Sequence, residues 1–132
     1  MKFRYALFAL GVFLLSIAGC RADNVPLVEV KQAAEMQAQG ALLLDVRQPD
    51  EYAEFRAPNS RLLPLGQLSS RMGEIASYKD RPVVVICHSG RRSARAVQQL
   101  QEAGFTQVFS VDGGMVRWAE AGLPVERGAP QQ

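Results

Sequence analysis

Short, mostly apolar stretches alternate along the chain with segments in which apolar residues recur at helical spacing. Five stretches have the length and composition of strands: Leu27–Val30, Leu42–Leu44, Arg61–Leu63, Pro82–Ile86 and Gln107–Val111. The fourth is mostly β-branched and does not alternate with polar residues, a pattern typical of a strand covered on both faces of a parallel sheet. We therefore predict an α/β fold, with a central parallel sheet of about five short strands flanked by helices on both faces.

The clearest helical pattern follows the fourth strand. Ala96, Val97, Leu100 and Ala103 lie at helical spacing, and Gly104 supplies a stop. Further helices are expected at 31–39, 49–55 and 115–121, with one or two short helices within 65–78. These elements predict one domain over residues 27–126, followed by a flexible tail at 127–132.

A cysteine, Cys87, stands where the central strand gives way to this helix. The connecting turn is polar and reads Cys87-His88-Ser89-Gly90-Arg91-Arg92. A helix N-terminus, inward-facing loop amides and nearby cations all favour the thiolate, which is the nucleophilic form of cysteine. Gly90 permits the positive φ that a tight turn requires. We therefore predict an exposed and reactive thiol at Cys87.

Two charged residues follow the second strand. Asp45 ends that strand, and Arg47 comes two positions later. Because the carboxyl ends of strands in an open α/β sheet line the crevice that receives ligands, we expect Asp45 and Cys87 to face the same site. Asp45 is expected to hold Arg92 or the loop from behind, the alternative being a strand-end cap, and Arg47 is expected to act in a similar way.

The loop resembles the active-site loop of the rhodanese (thiosulfate sulfurtransferase) family. In Cys87-His88-Ser89-Gly90-Arg91-Arg92-Ser93, four residues separate the cysteine from the closing arginine, as in that family. The segment 43–52 resembles the family's amino-terminal signature, and 112–118 with 122–125 resembles its carboxy-terminal one. The three motifs occur in the family's order and together indicate a single-domain member.

This resemblance implies a sulfurtransferase in which Cys87 is catalytic. Cys87 would take a sulfane sulfur from thiosulfate or a persulfide, carry it as a persulfide, and pass it to a nucleophilic acceptor such as cyanide or a thiol. The residues expected to bind the substrate are His88, Ser89, Gly90, Arg91, Arg92 and Ser93. Arg92 would bind the oxyanion, and Ser93 would cap or begin the helix. Substrate contact and simple solvent exposure stay open for His88 and Arg91. No cofactor is needed.

Two other functions remain open at this stage. Related folds use a cysteine-arginine loop in phosphatases and arsenate reductases, but those loops hold one more residue between cysteine and arginine. A non-catalytic rhodanese-like binding module is the other alternative. Such modules commonly lack the cysteine, whereas this chain has both Cys87 and Arg92.

Charge and residue counts argue against two kinds of partner, nucleic acid and metal ions. The first twenty residues hold two of the fifteen basic side chains and none of the thirteen acidic ones, so the remainder carries thirteen of each. A neutral chain of this kind argues against binding to nucleic acid. The chain has one histidine and two cysteines, and one of the cysteines, Cys20, belongs to the amino-terminal segment described below. The remaining histidine and cysteine cannot supply the usual ligands of a zinc site, so no metal is expected.

Residues 1–20 have the pattern of a signal peptide. Lys2 and Arg4 precede a thirteen-residue apolar run at 5–17, which is too short to span a bilayer. The last four residues, Ile17-Ala18-Gly19-Cys20, resemble a bacterial lipobox, which implies lipidation of Cys20 and a short tether at 21–26. We therefore predict an exported lipoprotein on the periplasmic face of a bacterial membrane, the alternative being a soluble periplasmic protein. Cys87 would then be a free thiol without a disulfide partner.

Overall fold

A five-stranded parallel sheet forms the centre of the computed structural model, which describes residues 24–130. Its strands are β1 (Leu27–Val28), β2 (Leu42–Asp45), β3 (Arg61–Leu62), β4 (Val83–Ile86) and β5 (Val108–Val111). The helices are α1 (Val30–Ala38), α2 (Pro49–Glu54), α3 (Leu68–Arg71), α4 (Arg91–Glu102) and α5 (Gly114–Glu120). Two 3-10 helices, Leu65–Gln67 and Met72–Tyr78, flank α3. The predicted fold class is confirmed.

The strands lie in the order β1-β5-β4-β2-β3, and every neighbouring pair is parallel. The apolar strand β4 is therefore central, as its sequence predicts. Asp45 is the register partner of Ile86, so β2 and β4 end side by side. The residues that follow these two strands start from adjacent points on one edge of the sheet.

Apolar residues on both faces of the sheet form two core clusters, one under α3 and α4 and one under α1 and α5. Successive residues of a strand point to opposite faces. Val83, Val85 and Cys87 accordingly lie in the cluster under α4, whereas Val84 and Ile86 lie in the other. This alternation places the Cys87 side chain on the α4 face of the sheet.

The predicted tail at 127–132 begins with a residue pair that contacts the domain. Gly128 donates to the carbonyl of Ala53 at 2.8 Å and accepts from Arg56 Nη1 at 2.6 Å. These two bonds attach the start of the predicted tail to the domain. The last two residues lie outside the described part of the chain.

The predicted signal peptide, the lipidation site at Cys20 and residues 21–23 of the predicted tether also lie outside the residues that the structure describes. Within residues 24–130, no helix is long and apolar enough to cross a membrane.

Candidate active site

Cys87 follows the last residue of β4 and lies beneath the turn that leads into α4. The residue is only 1 % exposed, so the prediction of an exposed cysteine is wrong. The turn closes over the side chain because Gly90, at the start of α4, has a φ of 111° and reverses the chain there. The thiol therefore lies inside the loop, and its chemistry depends on the groups that surround it.

One loop amide points at the sulfur. The N–H of Gly90 donates to Cys87 Sγ at 3.1 Å, a bond that favours negative charge on sulfur. The thiol in turn donates to Ser93 Oγ at 3.5 Å, in the first turn of α4. The sequence predicts inward-facing loop amides, and the structure contains one such hydrogen bond to the sulfur.

A second buried hydroxyl lies behind Ser93. Ser110, on β5, places its Oγ 2.7 Å from Ser93 Oγ, and both serines are fully buried. Ser93 also donates to the carbonyl of Gly90 at 3.1 Å. A hydroxyl has one proton to donate, so Ser93 cannot donate to Gly90 and to Ser110 together, and Ser110 is then the donor of the pair. When the thiol is ionised, the Ser93 proton can turn from the carbonyl to the sulfur.

The first turn of α5 holds the loop from its other side. The N–H groups of Met115 and Val116 donate to the carbonyls of Cys87 and His88 at 2.8 Å and 3.1 Å. Gly114 makes this approach possible, since a Cβ at that position would lie 2.4 Å from the Cys87 carbonyl oxygen. These bonds direct the two carbonyls towards α5 and so fix how the loop peptides are oriented around the thiol.

Arg92, the predicted oxyanion binder, forms an ion pair with Glu51 on α2. Its Nη1 and Nη2 atoms donate to the two carboxylate oxygens of Glu51 at 2.5 Å and 2.8 Å. The hydrogen bond from Arg92 lowers the pKa of Glu51 from 4.5 to about 2, although burial opposes the shift. The same bond raises the pKa of Arg92 above its usual value, with smaller contributions from the charges of Cys87 and Asp45. Arg92 is therefore one half of a partly exposed ion pair.

Asp45 and Arg47 pair with each other rather than with the loop. Arg47 Nη2 donates to Asp45 Oδ2 at 2.8 Å, and both side chains are buried. Strand alternation places Asp45 on the face of Leu43, opposite the face of Cys87. The sequence led us to expect that Asp45 would hold Arg92 or the loop. In the structure its hydrogen-bond partner is Arg47 instead.

The buried pair supports the site by another route. Arg47 donates to the carbonyls of Glu51 and Phe55 at 3.3 Å and 2.7 Å, and its guanidinium lies over the Phe55 ring. These contacts fix α2, the helix that carries Glu51 to Arg92. Arg47 thus acts on the loop through the position of α2.

The remaining loop residues are open to solvent. His88, Ser89 and Arg91 are exposed, and within residues 24–130 their side chains form no hydrogen bond or ion pair. They are positioned to meet a molecule that approaches the loop from outside. In the same part of the chain, no group of three or more His, Cys, Asp or Glu side chains could hold a metal ion.

Sequence reasoning missed three residues that shape the site. Glu51 lies within a recognised motif, but nothing local to it indicates a pairing with a residue 41 positions away. Ser110 could have been noticed as a polar residue inside an apolar strand. Gly114 is the second glycine of a Gly-Gly pair, which signals a close backbone approach without naming its partner.

Comparison with known proteins gives a match over most of the chain. The model of a family described as "Rhodanese-like domain" matches residues 29–121. A sulfurtransferase from Allochromatium vinosum is 40% identical over 87 residues, which are 66% of this chain and 79% of that protein. The thiosulfate sulfurtransferase GlpE of Vibrio cholerae is 39% identical over 105 residues, or 79% of this chain and 97% of that protein.

Solved structures share the fold. A rhodanese-related protein from Thermoplasma volcanium has a TM-score of 0.69 and 31% identity, over 76% of this chain and 97% of that one. A polysulfide-sulfur transferase homodimer from Wolinella succinogenes has a TM-score of 0.69 and 30% identity, covering 78% and 79% of the two chains. A thiosulfate sulfurtransferase from Pseudomonas aeruginosa has a TM-score of 0.70 and 27% identity, over 79% of this chain and 20% of that larger one.

Proposed function

The chain belongs to the rhodanese-like domain family, and from this premise we propose that it is a sulfurtransferase that carries sulfur as a Cys87 persulfide. The observation that carries the proposal is the sulfur of Cys87 at the end of the central strand, with the Gly90 amide directed at it from 3.1 Å. Relatives named for transfer from thiosulfate and from polysulfide support a sulfane sulfur donor for this chain.

In the first half-reaction, the Cys87 thiolate attacks the outer sulfur of the donor. A new S–S bond forms to Cys87, the S–S bond of the donor breaks, and sulfite or a thiolate leaves with the electron pair. The Gly90 amide and the Ser93 hydroxyl are within hydrogen-bond reach of Cys87 Sγ, so they can stabilise the negative charge before attack. In the second half-reaction, cyanide or a thiolate takes the outer sulfur, and Cys87 returns to the thiolate. The two half-reactions predict ping-pong kinetics.

Burial of Cys87 suits this chemistry. A persulfide extends the side chain by one atom beyond the buried Sγ. His88 and Ser89 are exposed on the same loop, so a donor or an acceptor that approaches the loop would meet them first. The enclosed thiol is shielded from bulk water and large oxidants, whereas a small donor can reach it.

The test is the formation of thiocyanate from cyanide, with thiosulfate or a small persulfide as the donor. Wild-type protein is expected to turn over, and Cys87→Ser is expected to be inactive while melting at a similar temperature. Wild-type protein that forms no persulfide with any donor would contradict the proposal and favour the non-catalytic binding module. Hydrolysis of a phosphate ester without sulfur transfer would favour the phosphatase alternative.

We also propose that the mature protein is a lipoprotein anchored through Cys20 on the periplasmic side of a bacterial membrane. The support is the pattern of residues 1–20, with a basic start, a short apolar run and Ile17-Ala18-Gly19-Cys20. Mass analysis of the mature amino terminus tests this. Acyl groups on Cys20 are expected, and a mature chain that begins at another residue would contradict it.

A further inference from the structure

The fork of Arg92 is occupied. Glu51 accepts from both Nη atoms of Arg92, and its Oε1 also accepts from the backbone N–H of Gln48, which fixes the carboxylate at the start of α2. Arg92 is the arginine that an anionic donor would be expected to bind, because a planar guanidinium matches two oxygens of an oxyanion. A carboxylate of this chain already takes that place.

Within the loop itself, Arg91 is the one arginine besides Arg92. Arg47 is buried and paired with Asp45. Arg91 is exposed, and within residues 24–130 it forms no ion pair, so it supplies the one permanent charge of the loop that no acid neutralises. With Glu51 in place, the loop therefore presents one free arginine instead of two.

Two classes of sulfur donor respond differently to this arrangement. Thiosulfate is a dianion whose sulfonate end carries three oxygens, and its leaving group, sulfite, keeps that charge. To bind the Nη1–Nη2 edge of Arg92, thiosulfate must displace the carboxylate of Glu51, and to bind Arg92 elsewhere it must approach that carboxylate against charge repulsion. A small hydropersulfide, R–S–SH, has no sulfonate group and releases a thiolate, so it can react while the ion pair stays closed.

We propose that Glu51 determines donor selectivity: by closing the fork of Arg92, it makes small persulfides better donors than thiosulfate for this protein. The inference rests on the proposed sulfurtransferase function and assigns a substrate class to the same site. In the favoured reaction, the Cys87 thiolate attacks the outer sulfur of R–S–SH, the donor S–S bond breaks, and R–S⁻ leaves. The proton stays on the new Cys87–S–SH group, so atoms and charge balance.

The experiment measures the rate at which Cys87 is loaded with sulfur in a single turnover, by rapid quenching and intact-mass analysis. The two donors are thiosulfate and glutathione persulfide. Glu51→Gln is the main variant, because glutamine keeps the capping interaction with Gln48 and removes the charge. Asp50→Asn is the matched control, since Asp50 is an acid in the same helical turn and has no hydrogen bond or ion pair among the described residues.

Wild-type protein is expected to load faster from the persulfide. Glu51→Gln is expected to raise the loading rate from thiosulfate about fivefold, the scale set by losing one partly exposed ion pair, and to change loading from the persulfide by less than about twofold. Asp50→Asn is expected to change neither rate by more than about twofold. If Glu51→Gln folds poorly, Glu51→Ala provides the same test, because it also removes the carboxylate from the Nη atoms of Arg92.

Slower loading from thiosulfate in Glu51→Gln would overturn the inference, because Glu51 would then orient Arg92 for the sulfonate instead of closing it off. Equal changes for the two donors would also overturn it. If wild-type protein loads from neither donor, the proposed function itself fails. That result is distinguishable from a change in donor preference, which requires an active protein.

Discussion

Replacing Gly114 by alanine tests how the α5 helix holds the loop that contains Cys87. The new Cβ would lie 2.4 Å from the Cys87 carbonyl oxygen and 2.6 Å from that of His88, and both are backbone atoms. Side-chain Cβ atoms essentially never come within 3.0 Å of such a neighbour, so the loop or α5 must move by about 0.6 Å or more. The two hydrogen bonds from the first turn of α5 to these carbonyls would be distorted by that movement.

The expected loss in the free energy of unfolding has two parts. Alanine at a φ of 55° costs about 1–2 kcal/mol wherever it occurs. Relieving the overlap and weakening two hydrogen bonds adds about 2–4 kcal/mol. Because a small misplacement of reacting groups can slow an enzyme by up to about a hundredfold, we expect sulfur transfer to fall by at least about tenfold.

Gly122→Ala is the matched control, since Gly122 has a φ of 72° and a Cβ there meets no atom within 4 Å. Urea unfolding gives the free energies, and thiocyanate formation gives the activities. Gly114→Ala is expected to be about 2–4 kcal/mol less stable than Gly122→Ala, and only Gly122→Ala is expected to keep its activity. Similar stability and activity in the two variants would refute the role given to α5.

Two further predictions concern the groups around the thiol. Because the pKa of Glu51 is lowered from 4.5 to about 2, its ion pair stabilises the fold fully above about pH 4.5, and this contribution is lost as the pH falls towards 2. In urea unfolding, Glu51→Gln is expected to be about 1 kcal/mol less stable than wild type at neutral pH. The difference is expected to shrink as the pH falls from 4.5 towards 2. A difference that does not change with pH would contradict the stabilising role of the ion pair. Ser110→Ala removes the hydroxyl that donates to Ser93, so we expect a loss of about 1 kcal/mol and a severalfold slower loading of Cys87 in single-turnover assays. Unchanged loading and stability would show that the hydroxyl pair does not support the thiol.

Local sequence patterns were sufficient to predict the elements that carry the cysteine. The apolar run of β4, the polar turn and the helical spacing of α4 are each encoded by neighbouring residues, and the structure places Val83–Ile86 and Arg91–Glu102 accordingly. The position of Asp45 at the end of β2 follows from the same reasoning. Its side-chain direction was not anticipated, because strand alternation sends it to the face opposite Cys87.

Contacts between distant segments could not be predicted from the sequence. Burial of Cys87 depends on how the turn closes over the thiol and on the α5 helix that holds the loop, and the approach of α5 requires Gly114. The partner of Arg92 depends on where α2 lies, which is set by the buried pair of Arg47 with Asp45. Such pairings depend on how distant segments pack in three dimensions, so they cannot be predicted from the periodicity of the sequence.

The most direct test of the account is intact-mass analysis of the protein after incubation with a sulfane sulfur donor and without reducing agent. Wild-type protein is expected to gain the mass of one sulfur atom, to lose it on addition of cyanide, and to release thiocyanate in equal amount. Cys87→Ser is expected to gain nothing under the same conditions. A wild-type mass that never changes, or an equal gain in Cys87→Ser, would contradict the claim that the enclosed thiol carries the transferred sulfur.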